Sequence, residues 1–281
     1  MNLGLYRDLQ KIGQGRMGEA YKARDSRDGR IVAIKAIHVE PSELLTARSV
    51  LLRESEKLKL LKHSGIPAVY EVTHQDSSLY IVTEFLVGDS LDRLLKEGQK
   101  LPPSRRLEII KQSCTVLHEV HEHGILHKAL TPSKIFVQRD NSVKILGFGV
   151  SAVGRFLNLE LPIFSRDLHH SSPEEIRCER RIGRESDIWS IGVTLFELLQ
   201  GRLPFVGGNL EAFLFQVVRA EVPATPAEVP FAGELDRIFA RALAKEVENR
   251  YRSAGELAAD LETLIPKVKQ CEEEMPGPTP D

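Results

Sequence analysis

The order of hydrophobic patterns predicts an α+β chain in which a small strand-rich part precedes a larger helical part. Residues 5–38 carry short β-branched or aromatic runs separated by Gly- and Asp-rich turns, whereas after Gly88 apolar residues recur at helical spacing. The chain has 281 residues, 42% of them hydrophobic, which is ample for a buried core.

Strand character falls at about 6–12, 19–24 and 31–37, with Asp28-Gly29 the clearest turn, so these runs read as an antiparallel meander. Between Pro41 and Lys62, Leu51, Leu52, Leu58 and Leu61 stand at helical spacing among charged residues. Ser64-Gly65 then stops the helix, and residues 69–72 and 79–85 return to strand. Further on, Leu107, Ile110, Cys114, Leu117 and His121 share one helical face, and 188–199 is apolar on nearly every side, which requires a buried helix. Helices follow at roughly 209–220 and 234–245. Ser253-x-x-Glu256 is a capping-box signature for a last helix carrying Leu257, Leu261 and Leu264. These divisions place a first lobe at 1–86 and a second at 87–266. Residues 267–281 lie beyond Pro266 and are rich in acid and proline from 272 on, so they are expected to form a disordered tail. No internal repeat is present.

Charge argues against several function classes. With 38 basic and 40 acidic residues, a net charge of −2 and no long basic run, there is no electrostatic footprint for nucleic acid or a membrane surface. Proteins or small molecules are the expected partners. Cys114, Cys178 and Cys271 are far apart and form no CxxC pair, so neither a disulfide framework nor a zinc site is suggested. Arg7, Asp8 and Lys11 stand near the N-terminus and no stretch approaches about 18 uninterrupted apolar residues, so a soluble, cytoplasmic protein is expected.

Gly13-x-Gly15-x-x-Gly18 sits between two predicted strands, where a dinucleotide-binding unit would open a helix after the last glycine. A glycine turn in that setting forms a flap whose amides can lie over phosphates, though an ordinary tight turn has the same spacing. Val32-Ala33-Ile34-Lys35 ends in a single lysine on an otherwise apolar strand. Such a lysine is commonly a solvated edge. Here Glu54, on the following helix, is placed to neutralise it, and the pair would hold an ammonium where α- and β-phosphates sit.

The flap, Val-Ala-Ile-Lys, the helix glutamate, Ile81-Val82-Thr83-Glu84-Phe85 and Asp187-x-Trp189-Ser190-x-Gly192 together resemble the protein kinase family in its own order, from about residue 5 to 265. Ser172-Pro173-Glu174 and Glu248-Asn249-Arg250-Tyr251 make the bacterial-type serine/threonine branch the nearest likeness. The resemblance implies a bilobal kinase-like fold with an ATP site between a small β-rich N-lobe and a larger helical C-lobe. It implies Thr83 as gatekeeper and adenine bonded by the backbone of Glu84 and Leu86. The ring would lie between Ile12, Ala20, Ala33 and Phe136. His127, Phe148, Leu58 and Tyr70 match the family's stacked spine, Asp187 its base, and Glu174 with Arg250 a structural ion pair.

At the catalytic positions the likeness breaks. The family's His-Arg-Asp-Leu-Lys-Pro-x-Asn loop is here His127-Lys128-Ala129-Leu130-Thr131-Pro132-Ser133-Lys134, and its Asp-Phe-Gly is Gly147-Phe148-Gly149. Ala129 replaces the aspartate that takes the acceptor proton, a role worth roughly 10²–10⁴ in rate. Lys134 and Gly147 replace the two direct magnesium ligands. Lys128 replaces the arginine that receives a phosphorylated loop, and Asp167 a threonine that shapes the acceptor site. His118, His121, His123 and His127 lie within ten residues, but no acidic or sulfur ligand stands beside them at zinc-site spacing, so they read as structural. The expectation is a pseudokinase: a scaffold or allosteric regulator with a protein partner, able to bind ATP, with Mg²⁺ not expected. The alternatives are a weakly active serine/threonine kinase and a kinase-fold enzyme with other nucleotide-transfer chemistry.

Overall fold

The structure is a computed structural model that describes residues 3–15, 18–96, 101–150, 153, 166–180 and 182–274. The chain forms two compact units, one of Met1–Gly88 with Gln138–Glu160 and one of Asp89–Val137 with Leu161–Asp281. The expected boundary at 86/87 therefore falls two residues later, and a segment expected in the second lobe packs with the first unit. Its attachments are specific: the Ile145 amide donates to the Gly65 carbonyl at 2.8 Å, and the Arg139 amide to the Val87 carbonyl at 3.3 Å. Linear patterning does not reveal such a return, because it is made by hydrogen bonds between distant residues.

In the first unit, β1 (Tyr6–Gly15), β2 (Gly18–Asp25), β3 (Ile31–His38), β4 (Val69–Gln75) and β5 (Ser78–Glu84) form an antiparallel sheet in the order β1-β2-β3-β5-β4, with α1 (Leu44–Leu61) between β3 and β4 in sequence. Alternation sends successive side chains to opposite faces. One face packs Tyr6, Ala23, Val32, Ile34, Ala36, Tyr80 and Val82 into a cluster. On the other, Ile37, Leu79 and Ile81 pack with Ala47 and Leu51 of α1 and with Val153. The α1 residues Ala47, Leu51, Ser55 and Leu58 are buried at helical spacing, so one stripe of the helix is covered. Tyr70, expected with Leu58 in the family's spine, packs instead on the first cluster, under the Arg30 guanidinium at 4.6 Å. The register irregularity between Val69 and Glu71 re-aims this strand.

The second unit holds α2 (Leu91–Lys96), α3 (Pro103–Glu122), α4 (Pro173–Ile176), α5 (Arg184–Gln200), α6 (Leu210–Arg219), α7 (Ala232–Ala242) and α8 (Ala254–Glu274). The short strands β6 (Gly88–Ser90), β7 (Ile135–Gln138) and β8 (Val143–Ile145) lie where the chain passes from one unit to the other and soon after it returns. As its composition requires, α5 is enclosed: Ile188, Trp189, Ile191, Val193, Leu195 and Phe196 are fully buried.

The tail expected to be disordered from 267 is helical to Glu274. Pro266 removes one backbone donor inside α8 and would ordinarily end or kink the helix. Tertiary contacts outweigh that loss. Val268 is buried, Lys269 pairs with Glu108 at 2.6 Å, and the Glu272 carboxylate accepts the Ser104 amide at 2.8 Å and the Ser104 hydroxyl at 2.5 Å. A residue from the far end of the chain thereby caps the start of α3. Residues 275–281 of the expected tail lie outside the described residues.

Candidate functional site

The first unit builds a shelf on the face of its sheet that α1 covers only in part. Register sets Gly13 opposite Ala20, Ala20 opposite Lys35, and Ala33 opposite Thr83, and directly opposed residues share a face. Beyond the cluster under α1, that face therefore offers Gly13, Ala20, Ala33 and Thr83, all small, with the Lys35 ammonium among them. Each is only partly buried. Ile12 beside them is 49% exposed, a large apolar side chain left open to water. Glu84 ends β5, and residues 85–87 run on without regular structure.

The glycines of the flap are not equivalent. Gly18 has φ +114°, and a Cβ there would meet the Ala36 carbonyl oxygen at 2.0 Å, so the fold itself demands glycine. Gly13 and Gly15 lie in β1 without positive φ, and a Cβ on Gly15 would meet nothing within 4 Å. Glycine inside a strand costs roughly 0.5–1 kcal/mol relative to alanine. No contact among the described residues requires that cost at Gly15. Residues 16 and 17, the tip of the flap, lie outside the described residues.

The expected Lys35–Glu54 pair is replaced by other contacts. Lys35 Nζ donates to the Gly18 carbonyl at 2.9 Å, while Glu54 accepts from Lys57 Nζ at 3.2 Å and Arg53 Nε at 3.3 Å. Lys57 lies three residues on along the same helix, so this pair forms whatever lies across from α1. Gly149 fits closely against this position, for a Cβ on it would come within 3.2 Å of Glu54 Cβ.

In the second unit Asp187, at the start of α5, is fully buried and accepts three hydrogen bonds: from His121 Nε2 at 2.9 Å, the His127 amide at 2.8 Å and the Lys128 amide at 2.7 Å. Burial alone would raise its pKa, but the His121 contact and the backbone donors more than reverse that and hold it below the ordinary carboxylate range. Lys128 takes φ +60°, a left-handed conformation unusual for lysine, while its amide is held by Asp187. Glu174 and Arg250 form a buried two-pronged pair with both N–O distances at 2.7 Å, as expected.

The protein kinase domain family matches residues 6–258. The chain belongs to the protein kinase family. It is similar to the serine/threonine-protein kinase PknB of Mycolicibacterium smegmatis, 33% identical over 263 residues that cover 89% of this chain and 41% of that protein. A probable serine/threonine-protein kinase of Streptomyces coelicolor is 33% identical over 264 residues, covering 90% and 39%, and the probable PknB of Lactococcus lactis 31% over 277, covering 96% and 43%. The chain thus spans about two fifths of the length of these curated relatives.

Within this kinase domain Ala129, Lys134 and Gly147 each have a defined place in the backbone. Ala129 follows the anchored His127-Lys128 and presents an exposed methyl group, and its amide donates to His127 Nδ1 at 3.3 Å. Lys134 ends a 3₁₀ turn, Pro132–Lys134, and is partly buried, as is Phe136 two residues on in β7. Gly147 follows β8 with φ +94°, a conformation that disfavours any side chain. Asp167 lies where the backbone is described but the side chain is not. Among the described residues no group of three or more His, Cys, Asp or Glu is placed to hold a metal, the four clustered histidines included, and no helix is long and apolar enough to cross a membrane. One contact at the shelf went unanticipated: Lys144 Nζ lies 2.7 Å from Glu84 Oε2. A lysine between Val143 and Ile145 on a short strand was its only trace in sequence.

Proposed function

We propose that this kinase domain is a pseudokinase, which binds ATP on the shelf of its first unit and acts as a scaffold or allosteric regulator of a protein partner rather than by transferring phosphate. The observation that carries the reading is the contrast at Asp187: the loop is held by three hydrogen bonds to this buried carboxylate, yet the side chain it presents is the methyl of Ala129. A loop kept in place without its base has kept architecture and lost proton transfer.

Adenine would lie against Ile12, Ala20 and Ala33, with Thr83 as gatekeeper and the backbone of Glu84 and Leu86 as its hydrogen-bonding edge. Gly13, Gly15 and Gly18 would let the flap approach the phosphates, and Lys35 would meet their charge. The side chains at the family's metal positions do not fit Mg²⁺: an ammonium at 134 and no side chain at 147 supply no oxygen ligand. Glu54, already engaged by its helix neighbours, leaves α1 free to serve as the element that a partner shifts.

Two measurements test this. Incubation with γ- and with α-labelled ATP should label neither the protein nor generic substrates above a metal-free background. ATP at about 100 times its dissociation constant should raise the melting temperature by about 5–10 °C, equally with EDTA and with Mg²⁺. Mg²⁺-dependent γ-labelling that Lys35→Ala abolishes would favour the second reading, a weakly active serine/threonine kinase, which draws on the names of the relatives. Transfer from the α-label would point to other nucleotide chemistry. Ala129→Asp alone should restore nothing. The triple change Ala129→Asp, Lys134→Asn, Gly147→Asp is the minimum for recovery, at a backbone cost of about 1–2 kcal/mol for a side chain at Gly147.

A further inference from the structure

Glu84 ends β5, and beyond it the chain no longer has a ladder to fix its peptide planes. The Glu84 amide donates to the Ala68 carbonyl at 2.9 Å, and Glu84 Oε2 accepts the Ala68 amide at 3.2 Å, so main chain and side chain both grip one residue. The same carboxylate oxygen is 2.7 Å from Lys144 Nζ. Lys144 exposes 11% of its side chain, against 31% for Glu84, so the ion pair is largely withdrawn from water and constrains both partners. Next to it the Ile145 amide donates to the Gly65 carbonyl at 2.8 Å. Residues 65–68, the end of β5 and β8 are thus pinned together at the point where 85–87 begins. Among the described residues the Leu86 amide and carbonyl make no hydrogen bond, which leaves an adjacent donor and acceptor for a ligand.

Resting on the nucleotide reading above, we infer that Lys144 is a positioning residue for the base: through Glu84 it fixes the peptide groups of 84–86 so that they can read the edge of a purine. Lys144 does not touch the ligand. Its effect is confined to the end of the site where the base binds, because the phosphate end is served by Lys35 and the flap. A purely structural tie between β8 and β5 would weaken every ligand of the unit alike.

The test measures calorimetric affinity for two probes, adenosine and inorganic tripolyphosphate, on the wild-type chain and on Lys144→Met, Lys144→Arg and Glu84→Gln. Lys144→Met should weaken adenosine by about tenfold, a loss comparable to one charged hydrogen bond, and leave tripolyphosphate within a factor of about two. Lys144→Arg should restore most adenosine affinity, and Glu84→Gln, a milder change that covers the case of a poorly folding Lys144→Met, should repeat the selective loss. Equal weakening of both probes, or no change in either, overturns the inference while the nucleotide reading stands. A wild-type chain that binds neither probe removes that reading and the inference with it.

Discussion

Glu174 and Arg250 in the second unit meet through two 2.7 Å bonds with side-chain exposures of 3% and 0%, whereas Glu54 in the first unit is held at 3.2 and 3.3 Å by Lys57 and Arg53, which are 42% and 68% exposed. Both glutamates stand at positions where the family places an ion pair, and only one forms the pair expected. The buried pair cannot exchange partners, because each charge would be left without water. The exposed contacts can be given up at little cost, since pairs on a helix surface are worth only a few tenths of a kcal/mol. The pair at Glu174 fixes a frame, and the contacts of Glu54 can be exchanged. Asp187 extends the first pattern.

The largest effect that would sharpen this contrast is at the buried pair. Arg250→Met should destabilise the domain by about 3–5 kcal/mol, because it strands the Glu174 carboxylate; urea denaturation reads this directly, and a loss below about 1 kcal/mol would break the comparison. The same groups set the response to acid. Burial raises the Glu174 carboxyl and Arg250 more than reverses it, so its pKa lies below the ordinary value, as does that of Asp187. The unfolded chain therefore takes up protons first. Stability from these groups is complete above the unfolded carboxylate range, about pH 4, and falls as the pH drops through their folded-state values. The slope of unfolding free energy against pH below 4 should be shallower in Glu174→Gln.

The flap supplies a contrast of intermediate size within the first unit. Gly18→Ala forces a Cβ into the Ala36 carbonyl at a positive φ and should cost about 1–3 kcal/mol, while Gly15→Ala should be neutral or stabilise by up to about 1 kcal/mol. If Gly15→Ala keeps stability and weakens ATP binding, the glycine is there for the ligand; equal melting shifts with ATP in both proteins would remove that reason. The smallest effect belongs to Glu54→Ala, expected to change stability by less than about 0.5 kcal/mol. A loss comparable to that of Arg250→Met would mean that the two glutamates do not differ in this way.

Period and punctuation were enough to read most strands and helices, since alternation and 3.6-residue spacing are local properties of the chain. The positions of Gly13, Gly15, Gly18 and Lys35 within the strand pattern were legible for the same reason. The family's ion pair at Glu174 and Arg250 was also readable, because both residues sit in recognisable segments. Where expectation and structure part, two distant segments compete for the same group. Pro266 reads locally as a stop, yet Ser104, 168 residues from Glu272, needs a cap and carries the helix on to Glu274. Glu54 reads as the partner of Lys35, yet Lys57 stands three residues away on its own helix. Lys144 carries no local sign of its bond to Glu84, and residues 138–160 carry none of their return to the first unit. Sequence by itself determined the elements and which side chain each position offers. Only the tertiary structure decided which charges pair, where the last helix ends and which segments belong together, because those are differences in free energy between contacts that no single stretch of chain contains.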